Sequence, residues 1–158
     1  MPDYDTLDAL AMADLVRKRE VPPDHFMKEA AVRAAAVNPT LNAIIHDFAP
    51  MESANADGPF AGVPLWLKDT GASIKDEPLT SGTRLHAGIR SPADSTMGAR
   101  LREAGFIFMG RTNTPELALS FTTEGTYYGS ARNPWDRAAH RAAHPAVPCR
   151  WLPPASCR

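Results

Sequence analysis

The run Phe106-Ile107-Phe108-Met109 narrows the possible folds more than any other stretch of this 158-residue chain. Successive side chains on a strand point to opposite faces, so an unbroken apolar run needs cover on both sides, the position of a strand held between two layers. Helical and strand-like segments alternate around it. Thr6 is a predicted cap for a first helix with Leu7, Leu10, Ala11 and Leu15 at helical spacing. Pro22-Pro23-Asp24 opens a second, carrying Phe26, Ala30, Ala34 and Val37, and the apolar run Leu41 to Phe48 reads as a strand. Asp57-Gly58-Pro59 and Gly62 mark turns around another apolar run, Val63 to Leu67, which ends at Lys68-Asp69. After a Gly/Ser/Thr-rich loop, Asp94 or Ser95 caps a helix bearing Met97, Leu101 and Ala104, closed by Gly105. Thr114-Pro115-Glu116 has the form of one more helix start, with a capping hydroxyl, proline at the first position and a carboxylate in the first turn. The order predicts an α/β layered fold without internal repeats.

This patterning stops near residue 136. From Arg137 the chain runs Arg-Ala-Ala-His-Arg-Ala-Ala-His into Pro145, Pro148, Pro153 and Pro154, with no periodicity. Arg, Ala, Pro, His, Cys and Trp dominate, as they do when GC-rich DNA is read out of frame; a genuine Pro/Ala-rich disordered tail is the plainer alternative. The chain thus divides into residues 1–136, one α/β unit, and residues 137–158, an aberrant tail.

Composition removes several classes of function. An apolar fraction of 44% and a charged fraction of 22% are those of a globular chain. The net charge of -1, without any Lys/Arg block, gives no case for nucleic acid or an anionic membrane. No stretch is long and apolar enough to span a bilayer. The acidic start Met1-Pro2-Asp3-Tyr4-Asp5 does not read as a secretory signal, so the cytoplasm is the expected location. Both cysteines, Cys149 and Cys157, fall in the tail, which argues against a disulfide framework.

Several segments, taken in order, resemble the amidase-signature family. Pro59-Phe60-Ala61-Gly62-Val63-Pro64-Leu65-Trp66-Leu67-Lys68-Asp69 is similar to the strand and turn carrying that family's catalytic lysine. Thr80-Ser81-Gly82-Thr83-Arg84-Leu85 resembles its following loop, and Asp94-Ser95-Thr96 through Leu101-Arg102-Glu103-Ala104-Gly105 its next helix. Gly110-Arg111-Thr112-Asn113-Thr114-Pro115-Glu116 resembles a strand-to-helix connection. Thr122-Thr123-Glu124 and Arg132-Asn133-Pro134-Trp135-Asp136 resemble the approach to the family's serine-rich motif. The likeness covers roughly residues 5–136, and its wording is closest to bacterial amidases of the 6-aminohexanoate cyclic dimer hydrolase type.

The resemblance implies the N-terminal portion of the amidase-signature fold, a mixed sheet flanked by helices and here incomplete. It implies hydrolysis of carboxylic amide C–N bonds in small molecules by a Ser–cis-Ser–Lys triad, with neither metal nor cofactor. Lys68 matches the triad lysine; a Gly-Gly-Ser-Ser-Gly-Gly stretch with the middle serine, and the later nucleophile with its oxyanion hole, have no match in these residues. Joining the third base of each codon to the first two of the next across residues 139–148 permits Thr-Pro-Gly-Gly-Ser-Ser-Gly-Gly-Ala, where the family has that motif. A frameshift or sequencing error near Asp136–Arg137 is therefore expected, and the chain as written is expected to be inactive.

A lysine that acts as base must be neutral, and burial among apolar groups favours that by disfavouring the ammonium. Val63, Leu65, Trp66 and Leu67 can supply such surroundings for Lys68. The ordinary alternative is a solvated lysine at a strand end. Thr123, within Thr122-Thr123-Glu124, is a candidate for lining a substrate cleft, against plain loop hydrogen bonding. Ser81, Ser120 and Ser130 lack a Gly-x-Ser-x-Gly frame and suit turns or caps. His25, His46 and His86 lack metal-ligand spacing; His140, His144, Cys149 and Cys157 faintly suggest zinc, but paired Cys-x-x-Cys spacing is missing. Two other classes remain open: a non-catalytic remnant that aggregates through an exposed sheet edge, and a small binding module built on the tail.

Overall fold

The computed structural model describes residues 4–49 and 53–135. The tail from Arg137, with its histidine and cysteine positions, lies outside them. Helices α1 (Ala9–Arg17) and α2 (His25–Leu41) precede strands β1 (Ile44–Asp47) and β2 (Pro64–Lys68). Helix α3 (Thr96–Glu103) leads into β3 (Ile107–Thr112), and the short strands β4 (Glu124–Gly125) and β5 (Gly129–Ser130) close the described chain.

The main sheet has the order β1-β3-β2, with β3 antiparallel to β1 and parallel to β2. The apolar run is thus the middle strand. Phe108 joins a cluster with Phe48, Leu67, Ala72 and Ile74 on the α3 side, where Leu101 of α3 also packs. Met109 packs against the opposite cluster, built from Met12, Ala13, Phe26, Ala30, Ala34, Val63 and Trp66 under α1 and α2. Helices on both faces of a mixed sheet are the α/β layering that the apolar run requires.

The β2–β3 ladder is irregular. Leu65 pairs with Phe108 but Trp66 with Gly110, so Met109 is an extra residue on β3. Strict alternation would send Phe108 and Arg111, three apart, to opposite faces. The bulge adds the missing step, and Arg111 lies over the Phe48 ring (5.4 Å to the centroid) on the Phe108 side.

Three sequence expectations need correction. Thr6 does not cap α1: it ends a 3-10 turn, Tyr4–Thr6, and the Asp8 carboxylate takes the cap by accepting from the Ala11 amide (2.8 Å). The strand expected from Leu41 starts only at Ile44. Helix α2 runs through Leu41 and stops at Asn42 in the left-handed region (φ 51°), while the Asn38 side chain accepts from the Ala43 and Ile44 amides. Thr114-Pro115-Glu116 starts no α-helix. Leu117 (φ 52°) and Ala118 (φ 57°) are left-handed, because the Leu117 amide is drawn to the Ser81 carbonyl (2.8 Å) and the Glu116 carboxylate to the Thr83 hydroxyl (2.7 Å). Only a 3-10 turn, Glu116–Ala118, forms. Tertiary bonds to the 80–83 turn outweigh local helix signals here.

Ser95 caps α3 by accepting from the Gly98 amide, and the neighbouring Asp94 takes bonds from Arg102 (2.8 Å) and the Lys75 amide (2.7 Å). The Arg102 bond holds the Asp94 carboxyl below its ordinary range. A carboxyl depressed in the folded state contributes stability above its unfolded pKa of about 3.9, and that contribution is lost as pH falls through the folded value. Asp94→Asn is expected to lower the melting temperature at pH 7 and to bring wild type and variant together in strong acid. Melts from pH 7 to pH 2 check this; a gap that persists at the acid end would contradict it.

Candidate active site

Lys68 is the last residue of β2, paired in parallel register with Thr112, and the next amide, Asp69, donates to the Thr112 carbonyl (3.1 Å). The strand therefore holds the lysine's backbone on one side. Burial pushes the Lys68 ammonium below the ordinary lysine range, the direction a proton acceptor needs.

The carboxylate of Asp69 is 1% exposed and accepts from the Thr80 amide (2.9 Å), the Thr80 hydroxyl and the Gly82 amide (3.0 Å). Since the Thr80 proton goes to Asp69, the Tyr128 hydroxyl donates to Thr80 Oγ1 (3.2 Å). Burial raises the Tyr128 pKa, and the phenol stays protonated as that donor. Behind this turn lies Arg111, 0% exposed. Its Nε donates to the Pro78 carbonyl (2.9 Å), and its Nη1 to those of Ala72 (2.6 Å) and Lys68 (3.3 Å). Burial lowers its pKa while the charges of Asp69 and Glu77 oppose the shift.

The β4–β5 hairpin is fastened to the same end of the sheet. The Asn42 side chain donates to the Tyr128 carbonyl (2.8 Å), and the Asn113 side chain to the carbonyls of Asn42 and Gly129 (both 3.1 Å). Thr123 is fully buried beneath the hairpin, its carbonyl accepting from the Ala131 amide (3.0 Å). Its neighbours Thr122 and Glu124, with Glu116 and Ser120, line a hollow of about 260 Å³. No hydrogen bond joins the Thr123 hydroxyl to Lys68 among the described residues. A separate groove of about 280 Å³, lined by Met27, Ala31, Phe48 and Phe108 among others, lies along α2, and Lys68 lines neither this groove nor the hollow beside Thr122.

Ser81 sits in a turn (φ 53°), the Ser120 hydroxyl accepts from the Thr122 amide (3.2 Å), and Ser130 is in β5. Among the described residues there is no cluster of His, Cys, Asp or Glu able to hold a metal ion, and no helix long and apolar enough to cross a membrane. The buried hydroxyls of Thr114 and Thr123 have no partner among the described residues. Replacing such a group by an apolar isostere removes a desolvation cost. Thr123→Val is accordingly expected to stabilise the chain by about 1 kcal/mol in urea unfolding; an equal loss would mean that the hydroxyl is bonded after all.

Arg111 and Asp69 carry this arrangement, yet the sequence drew attention to neither on its own. The available signal was a charged residue one position beyond the end of an apolar run, which demands partners wherever it is buried.

A mixed sheet with helices on both faces, carrying a half-buried lysine at the end of a parallel strand, describes an α/β protein. Comparison with known proteins narrows this to a family. The family model described as Amidase matches residues 26–141, and the chain belongs to that family. It is 40% identical over 134 residues to the 6-aminohexanoate-cyclic-dimer hydrolase of Paenarthrobacter ureafaciens, a match covering 82% of this chain and 27% of the relative. It is 38% identical over 140 residues to the lipoamidase of Enterococcus faecalis, covering 85% of this chain and 19% of that one. A solved 6-aminohexanoate cyclic dimer hydrolase superposes with a TM-score of 0.78 at 35% identity, over 90% of this chain and 31% of that structure. The chain thus spans less than a third of the length of each of these relatives.

Proposed function

We propose that residues 1–136 are the lysine-bearing N-terminal part of an amidase-signature hydrolase of small carboxylic amides. In that reading Lys68 is the terminal base of a Ser–cis-Ser–Lys triad. The observation that carries it is a half-buried lysine, its pKa lowered by burial, at a rigidly tied strand end within a family match over residues 26–141. Neutral Lys68 takes a proton through the middle serine as the nucleophile attacks the carbonyl, then returns it to the leaving amine. Thr122 and Glu124, with Thr123 beneath them, form one wall of the substrate cleft. Relatives named for 6-aminohexanoate cyclic dimer hydrolysis make such a cyclic amide the first substrate to try. Residues 137–158 are a shifted reading of the segment that would carry the middle serine.

The 158 residues as written contain one triad member and are expected to hydrolyse no amide. Reading the gene in all three frames beyond Asp136 tests the proposal: a frame with Gly-Gly-Ser-Ser-Gly-Gly supports it, and an early stop in every frame removes the frameshift. Amide hydrolysis by the purified chain, abolished by Lys68→Ala, would overturn its inactivity.

A second reading, a non-catalytic remnant, is favoured by Leu119 and Phe121, 83% and 86% exposed, beside the half-exposed Leu117. Apolar side chains in that density on a small chain promote self-association. Growth of light scattering with protein concentration, reduced by Leu119→Ser with Phe121→Ser, would support it; scattering indifferent to both changes would not.

A further inference from the structure

We infer that Arg111 and Asp69 are the positioning residues of Lys68, closing the loop that follows it from both ends and so fixing the backbone from which the amine projects. The inference rests on Lys68 being the base proposed above. Its ground is the division of labour between two buried charges. Arg111 gathers three carbonyls, those of Lys68 (3.3 Å) and Ala72 (2.6 Å) at the start of the loop and that of Pro78 (2.9 Å) just before its far end. Asp69 gathers the amides of Thr80 (2.9 Å) and Gly82 (3.0 Å), with the Thr80 hydroxyl, from its far end. One side chain takes only acceptors and the other only donors, so the loop's buried polar groups are matched to charges of the right sign.

Neither residue is there to meet solvent or substrate, at 0% and 1% exposure. A buried charge of this kind is costly unless its surroundings compensate it, and the bonds each charge makes here go to the loop it holds, while the Arg111 Nη2 has no hydrogen-bond partner among the described residues. The Asp69 charge also favours the guanidinium of Arg111, against the burial that disfavours it. Arg111 reaches this face only because Met109 is bulged out of the β2–β3 ladder. The bulge, the arginine and the aspartate together act on the residue at the end of β2. Lysine in place of Arg111 would offer a compact ammonium on a flexible stem, which cannot reproduce the planar fork.

The test reads Lys68 directly in the 158-residue chain, by the pH dependence of its acylation with an N-hydroxysuccinimide acetate reagent, followed by peptide mass spectrometry. Wild-type Lys68 is expected to react with a midpoint below the ordinary lysine value of about 10.4. Arg111→Met and Asp69→Asn are each expected to release the turn, solvate the amine and raise the midpoint to that ordinary value, while the chain still melts cooperatively. Arg111→Lys is expected to restore only part of the shift. If both variants keep the wild-type midpoint, the positioning inference is overturned and the reading of Lys68 as base stands. If wild-type Lys68 already titrates at the ordinary value, the base reading itself fails, and this inference with it. Should Arg111→Met fail to melt cooperatively, the near-isosteric Asp69→Asn decides by the same criterion.

Discussion

Gly110→Ala is expected to abolish cooperative unfolding of this chain. Gly110 sits in the middle strand, opposite Asp47 on β1 and Trp66 on β2. A methyl group there would overlap the carbonyl oxygen of His46 and stand 3.0 Å from the Asp47 Cα. Both neighbours are backbone, so no side chain can swing aside, and relief requires moving β1 off the sheet. The backbone φ of +157° is one that side-chain-bearing residues rarely adopt. The loss should exceed about 3 kcal/mol, in the range reserved for strain and overpacking in a core. Gly71→Ala is the matched control. Its φ of +88° is also unfavourable, but nothing among the described residues lies within 4 Å of the added carbon. That variant should lose only about 1–2 kcal/mol, the cost of a left-handed non-glycine residue. Urea unfolding followed by circular dichroism compares the two; equal midpoints would show that the β1–β3 approach is not what requires glycine at 110.

The contrast between these glycines shows how much of the fold the sequence made legible. The layering could be read directly, because an unbroken apolar run such as Phe106–Met109 has one economical environment, and the structure makes it the middle strand. Helix α2 could be read because Phe26, Ala30 and Ala34 recur at the helical period, and all three are buried. What stayed hidden depended on pairing between distant segments. The bulge at Met109 leaves no mark in the local pattern, since it exists only relative to Leu65 and Trp66. The helix expected at Thr114 failed for the same kind of reason, through bonds from Leu117 and Glu116 to a turn over thirty residues earlier. At the candidate site Lys68 was visible through family resemblance and an apolar approach. Asp69 and Arg111 were not, because a charge just beyond an apolar run reads locally as a strand end facing water.

In a full-length protein, Lys68→Ala is expected to lower kcat/KM for amide hydrolysis by about 10²–10⁴-fold, the usual contribution of a positioned proton-transfer group. A practical vehicle is residues 1–135 joined to the remainder of the Paenarthrobacter ureafaciens hydrolase, 40% identical over the shared part. The chimera supplies both serines of the proposed triad, so only the origin of the lysine segment differs from the parent. Lys68 accepts a proton only when neutral, so activity should rise with pH as Lys68 deprotonates. Burial lowers its pKa, which moves that rise to lower pH than an exposed lysine would give. Lys68→Arg keeps a positive charge but cannot lose its proton in the working range, and should be as inactive as the alanine variant. Asp69→Asn should shift the rise toward higher pH with a smaller loss at the plateau, since it loosens the turn without removing the base. Turnover of the cyclic dimer across pH 5–10 separates these outcomes. A Lys68→Arg chimera that kept the parental profile would show that the amine is not the base, because a permanent cation cannot relay a proton.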